Sequence, residues 1–201
     1  MSHNTWIHRG VRVLVRPLVG TLVTPNQLTG LRLLTGLSAA GAFAVGSAPW
    51  QYYGAGLFVL SMLLDRADGE LARLGDKTTP RGHTFDLLSD LLSETLVFIG
   101  LGVGLRSSIL GPWAVAMGVV AGIAVALTFW LFLWVEKREG REAATTQPVA
   151  GFDPDDALMI VPLAVVLGAS VPLLVAAATG APAFAAYSYW RIRRDLKGEG
   201  D

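Results

Sequence analysis

The sequence predicts an all-α integral membrane protein: six transmembrane helices with a cytoplasmic-side active site, preceded by an amphipathic juxtamembrane helix. Three observations carry this. The 201 residues are 52% hydrophobic and only 16% charged, with a mean hydropathy of +0.49. An average soluble chain is about 25% charged, and a soluble domain this small needs more polar surface to cover its core. Apolar stretches recur at about the 20-residue length that a 30 Å hydrocarbon layer requires. Finally, the basic residues fall on alternate joints between those stretches.

The first 24 residues form a juxtamembrane segment. Trp6, Ile7, Val11, Val13, Leu14 and Leu18 recur at helical spacing among His8, Arg9, Arg12 and Arg16. The pattern fits either a helix lying on the inner leaflet with its basic face toward anionic headgroups, or a plain positive-inside flank. The arginines also interrupt the first apolar stretch, against a cleavable signal peptide. Residues 25–195 hold the six spans, near Leu28–Val45, Trp50–Leu64, Asp86–Leu105, Pro112–Val135, Ala157–Ala169 and Val171–Trp190, and residues 196–201 are a tail. The second span continues as a helix through Arg73; Pro172 and Pro182 leave the split between the last two open. On the outer joints only Arg106 is charged, which puts both termini in the cytoplasm. Trp50 and Trp113 then mark the outer interface, and Trp130, Trp134 and Trp190 the inner one.

Sixteen Lys and Arg balance sixteen Asp and Glu, so nothing points to nucleic acid or to an acidic disordered tail. Cysteine is absent, which excludes disulfides, thiolate metal sites and thiol catalysis.

The unusual region joins spans two and three, LDRADGELARLGDKTTPRGHTFDLLSDLLSE from Leu64. Asp65 and Asp68 are three apart and Asp86 and Asp90 four apart, so each pair shares a helix face. Gly75 is a natural stop, and Thr79–Pro80 a natural N-cap and first position. Helices joined by so short a turn are antiparallel neighbours, so both pairs converge at the inner membrane boundary. Charged and unpaired, such carboxylates cost several kcal/mol each. Oxygen-only ligands favour a hard ion, Mg²⁺, Mn²⁺ or Ca²⁺, and four acids suit two ions better than one. Mg²⁺ readily shares its shell with phosphate oxygens, which suggests a phosphorylated substrate. Gly69, Ala72 and Gly82 leave room for a ligand, and Arg73 offers it a fork of donors. The competing account is an internal salt-bridge network, with Asp65–Arg66 and Asp68–Arg73 neutralising each other, or an ion pathway.

At these residues the chain resembles the CDP-alcohol phosphotransferase family, whose motif runs D-x₂-D-G-x₂-A-R-x₈-G-x₃-D-x₃-D. Asp65, Asp68, Gly69, Ala72, Arg73, Gly82, Asp86 and Asp90 match every fixed position. The resemblance implies a six-helix domain over residues 25–195, two Mg²⁺ or Mn²⁺ ions, and frequent homodimers. It implies displacement of CMP from a CDP-alcohol, very often CDP-diacylglycerol, by an acceptor hydroxyl in phospholipid biosynthesis. Asp65, Asp68 and Asp86 would hold metal and Asp90 would share it, with Asp86 and Asp90 catalytic and Asp90 the general base. The nucleotide set would be Asn26, Thr29, Asp65, Gly69, Ala72, Arg73 and Gly82; Asn26 and Thr29 enter because Thr24–Thr29 is similar to the family's P-N-x-x-T stretch, which also reads as a plain Pro/Asn helix entry. Leu91 and Glu94 match none of the family's glycerophosphate, inositol-phosphate or serine users, so the acceptor stays open.

Other features have plainer accounts beside functional ones. Lys137, Arg138 and Arg141, and Arg191, Arg193 and Arg194, either set topology and touch anionic lipid or bind an acceptor phosphate. Asp153-Pro154-Asp155-Asp156 reads as a helix start. Gly100/Gly104 and Gly118/Gly122 form a dimer face or pack within one chain. His83 reads as polar lining. Glu94 supports Asp90, touches the acceptor or pairs with a neighbour. The competing functions are a membrane prenyltransferase, a transporter and a scaffold, and no second Asp-rich repeat or half-to-half symmetry favours them.

Overall fold

A computed structural model describes the backbone of residues 6–139 and 158–198, and every regular element among them is helical. α1 (Trp6–Val15) leads through a 3-10 turn to α2 (Pro25–Val45), followed by α3 (Ala48–Leu74) and α4 (Pro80–Gly104). α5 (Trp113–Glu139), α6 (Ile160–Val166) and α7 (Ser170–Gly198) complete the chain. α7 runs past residue 196, where the tail was expected, and takes Pro182 into its interior. The 153–156 acidic stretch and Arg141 lie outside the described residues.

Local chemistry sets the helix starts. The Thr24 hydroxyl accepts from the Gln27 amide at 3.3 Å while the Gln27 side chain accepts from the Thr24 amide at 2.9 Å, a reciprocal cap with Pro25 in the first turn. Thr79 caps α4 by accepting from the Gly82 amide at 3.0 Å, again with Pro at the start.

α2 lies between α3 and α4, α5 covers the far side of α4, α7 covers α5, and α6 flanks α3. Phe43, Phe58, Val97, Leu101 and Leu174 fill the buried centre. α3 runs back along the length of α2: Gly54 meets the Phe43 ring, Ser61 donates to the Arg32 carbonyl at 3.0 Å, and Asp68 reaches Thr29. Outward-facing Val120, Ile123, Leu127 and Trp130 of α5, spaced three and four apart, make an exposed apolar stripe suited to lipid rather than water.

Among the described residues, four helices are long and apolar enough to cross a membrane: Pro25–Val45, Pro80–Ser107, Trp113–Val135 and Ser170–Arg194. That is fewer than the six expected. α3 has the length at 27 residues, but Gln51, Tyr52 and Tyr53 at one end and Asp65, Arg66 and Asp68 at the other dilute its apolar run. α6 has seven residues.

Trp6–Val15 is helical, and its contacts differ from the headgroup picture. Val11 and Val15 are buried against Leu71 of α3, and Arg12 turns inward to Glu70, at 3.2 Å and 3.4 Å. Val13 and Leu14 face outward.

The glycine pairs resolve toward internal packing. A Cβ on Gly100 would collide with the Ala40 carbonyl, and one on Gly104 with that of Phe43, so α4 lies backbone-close on α2. A Cβ on Gly118 would lie 2.6 Å from the Phe98 carbonyl, and one on Gly122 2.8 Å from that of Thr95, which serves α5 on α4. In contrast, Gly41 and Gly56 face open space. Gly104→Ala should therefore cost about 1–3 kcal/mol by overpacking, read as a lower melting temperature in detergent, while Gly41→Ala leaves it unchanged. Equal melting temperatures for Gly104→Ala and wild type would contradict the packing.

Candidate active site

The turn between α3 and α4 aims the acids. α3 closes at Gly75, whose amide donates to the Leu71 carbonyl, and Asp76 rather than Gly75 takes the left-handed conformation, with φ 52°. The Lys77 amide then returns to the Ala72 carbonyl at 2.9 Å, and Lys77 Nζ reaches the Val23 carbonyl at 3.4 Å. The turn is thereby tied to the start of α2. On the two helices so joined, carboxylate oxygens of Asp65, Asp68 and Asp86 lie within 4.8 Å of one another. The short turn predicts α3 and α4 as packed neighbours with both pairs converging; α2 lies between those helices instead, and three of the four acids come together. Asp90 stands outside that group, one turn deeper on α4.

α2 supplies the donors. Thr29 Oγ1 lies 2.6 Å from Asp68 Oδ2, with both residues buried. One turn on, Arg32 Nη1 lies 3.0 Å from Asp65 Oδ1 and 2.7 Å from Asp86 Oδ1, while Nη2 contacts Asp90. The Arg32 side chain is only 4% exposed. Residues 29 and 32 share a helix face, so one side of α2 touches all four aspartates. Arg32 lies outside the eight motif positions, within the first expected span. The signal available was an arginine inside an apolar span, which is costly unless partnered by acid. The competing salt-bridge account pairs the acids with Arg66 and Arg73; Arg32 is a further cation that reaches Asp65, Asp86 and Asp90.

The small residues sit where a ligand could approach. A Cβ on Gly82 would lie 3.0 Å from Asn26 Oδ1, so Gly82 lets α2 and α4 meet at Asn26. A Cβ on Gly69 would lie 3.6 Å from the Arg73 guanidinium, which folds over that glycine. Ala72 is half-buried one turn from Asp68. Thr29 joins the site through Asp68 rather than by an exposed hydroxyl.

Arg73 Nη2 lies 3.1 Å from Glu70 Oε1, and the same carboxylate takes Arg12 from α1. Glu70 is itself 1% exposed. It lies past the apolar part of α3, and although burial works against its charge, the Arg12 hydrogen bond and the Arg73 charge hold it below the ordinary glutamate range.

Beside Asp90 a cavity is lined by Arg32, Ser61, Arg66, Asp90, Ser93 and Glu94. His83 is exposed. Arg194 lies over the Trp190 ring at 5.2 Å, at the exposed end of α7.

The donor set fits divalent metal. Three clustered carboxylates without nitrogen or sulfur ligands suit a hard ion. Arg32 engages Asp65, Asp86 and Asp90 at once, and carboxylates this close together are the kind of cluster that a divalent ion would relieve.

Fold and site together define a polytopic helical membrane protein with an acidic metal-type centre at the junction of three helices. The family model for CDP-alcohol phosphatidyltransferase matches residues 22–190, and the chain belongs to that family. It is 33% identical over 87 residues to the bifunctional IPC transferase and DIPP synthase of Rubrobacter xylanophilus, covering 43% of this chain and 19% of the relative. It is 34% identical over 92 residues to the CDP-diacylglycerol–glycerol-3-phosphate 3-phosphatidyltransferase of Cereibacter sphaeroides, covering 45% of this chain and 40% of the relative. The matches thus span less than half of either relative.

Because Glu70 carries α1 on one side and Arg73 on the other, Glu70→Gln should loosen both. Arg12 and Arg73 are each more than a third exposed, so water softens the loss to about 1–2 kcal/mol. Hydrogen exchange in α1 should accelerate about tenfold; unchanged protection would show that the apolar contacts of Val11 and Val15 hold α1 alone. The linkage has a sign: with Glu70 lowered from 4.5, its contribution is full above that pH and disappears as pH falls through the lowered value.

Proposed function

We propose that the protein transfers a phosphatidyl group from CDP-diacylglycerol to an acceptor hydroxyl, releasing CMP, with Mg²⁺ or Mn²⁺ bound in pairs. The observation that carries the reading is the gathering of the motif carboxylates at one point between α2, α3 and α4. The donor is supported by the Cereibacter relative, whose name specifies CDP-diacylglycerol. The names of the two relatives describe different activities, so the acceptor is to be found by screening. Membership of this family favours transfer over the prenyltransferase, transporter and scaffold readings.

In this reading Asp65, Asp68 and Asp86 hold the metal and Asp90 shares it. The ions supply Lewis-acid charge neutralisation to the diphosphate. Thr29 keeps Asp68 oriented. Asp90 takes the proton of the acceptor hydroxyl as that oxygen bonds to the β-phosphorus, the bond from that phosphorus to the CMP oxygen breaks, and CMP leaves with the electron pair. Arg73 attracts the diphosphate, and Asn26, Gly69, Ala72 and Gly82 line the cytidine pocket.

Within the same proposal the chain has six crossings in a bacterial inner membrane, with both termini cytoplasmic. α3, antiparallel to α2 along its length, crosses the same thickness despite its polar ends, and α6 lies in the fifth passage. α1 lies at the cytoplasmic surface, with Val13 and Leu14 toward lipid. A homodimer would use a face other than the glycine pairs, which are occupied within the chain.

The test is CMP release by purified protein with CDP-diacylglycerol and Mg²⁺ or Mn²⁺, screened against glycerol phosphate, inositol phosphate, serine and lipid alcohols. One acceptor should give release that chelation abolishes, and Asp90→Asn should reduce it by about 10²–10⁴-fold. Undiminished release in that variant would remove Asp90 from its role. Metal-independent release in wild type would overturn the mechanism.

A further inference from the structure

Arg32 lies outside the eight-residue motif, and the proposed reaction gives it no task. Yet it is buried and engages three of the four acids. Its Nη1 bridges Asp65 and Asp86, two of the three carboxylates whose oxygens form the metal-type group. We propose that Arg32 is a built-in counter-cation: it holds the carboxylates in register in the metal-free protein and competes with the divalent ion for Asp65 and Asp86. The inference rests on the metal-dependent reading above.

Three physical points support it. Guanidinium cannot lose its proton in a protein, so Arg32 can relinquish the acids only by moving or by sharing their oxygens. A second cation between the same oxygens meets electrostatic repulsion at close range, strengthened by the low-dielectric surroundings of a buried group. Without any cation, several carboxylates held together would repel one another and loosen the contacts between α2, α3 and α4.

The arrangement also divides the acids. Nη1 sits on the two carboxylates that the ion would share, whereas Nη2 sits on Asp90, outside the three-oxygen group. When Nη1 yields, Nη2 retains Asp90 and fixes the orientation of the proposed base. Arg32 is thus a positioning residue with two assignments, separable by which carboxylate each nitrogen touches.

The experiment measures Mn²⁺ binding directly, by electron paramagnetic resonance of the free ion, on the full purified chain in detergent without substrate. Arg32→Gln should tighten Mn²⁺ binding by about tenfold or more. The same variant should melt lower than wild type without metal and gain more melting temperature on Mn²⁺ addition. Arg32→Lys retains a charge in case the neutral variant does not fold. Its single ammonium cannot match the fork, so it should shift affinity in the same direction by less. Mn²⁺ affinity equal to or weaker than wild type in either folded variant would overturn the role of Arg32 while leaving the metal reading intact. No Mn²⁺ binding in wild type would overturn both.

Discussion

The structure depends on one electrostatic constraint: four carboxylates from two helices must share a small, half-buried volume. Such a cluster is stable only with cations and donors aimed into it. α2 provides them from a single face, with Thr29 on Asp68 and Arg32 on Asp65, Asp86 and Asp90. The position of α2 between α3 and α4 is therefore an electrostatic requirement as well as a packing outcome.

Packing makes that position possible. Arg32 and Thr29 reach the acids only if α2 lies close to both neighbours, and small residues permit the approach. Gly36 faces Ser61 and Ser93, Gly54 accommodates the Phe43 ring, and Gly100 and Gly104 let α4 lie on the α2 backbone. Within a membrane, close backbone approach replaces the hydrophobic drive that assembles a soluble core. The same approach holds Asn26 against Gly82 at the mouth of the site.

What was legible in the sequence was local or periodic. Thr79–Pro80 marks the start of α4, and spacing puts Asp65 with Asp68 and Asp86 with Asp90 on one face of each helix, though Asp90 lies outside the three-carboxylate group. The eight motif positions identified the family that the match over residues 22–190 bears out. What was not legible depends on how separated segments dock. Arg32 lies inside the first apolar span, and which acids it meets is visible only once α2 is laid between the acidic helices. Arg12 reads as a headgroup contact until α1 meets Glu70, 58 residues away. The glycine pairs could not be assigned to one chain or two, because spacing alone does not say which backbone fills the groove. α3 has the length of a span but not its hydropathy, because its polar end carries Asp65, Arg66 and Asp68.

The central claim is that the three-carboxylate group is a divalent metal centre with Arg32 as its resident counter-cation. Anomalous diffraction from crystals of the protein loaded with saturating Mn²⁺ tests it most directly. The account predicts anomalous density for the metal ions among the oxygens of Asp65, Asp68 and Asp86, with Arg32 Nη1 withdrawn from Asp65 and Asp86. No peak there, with Arg32 still bridging those two carboxylates, would contradict it.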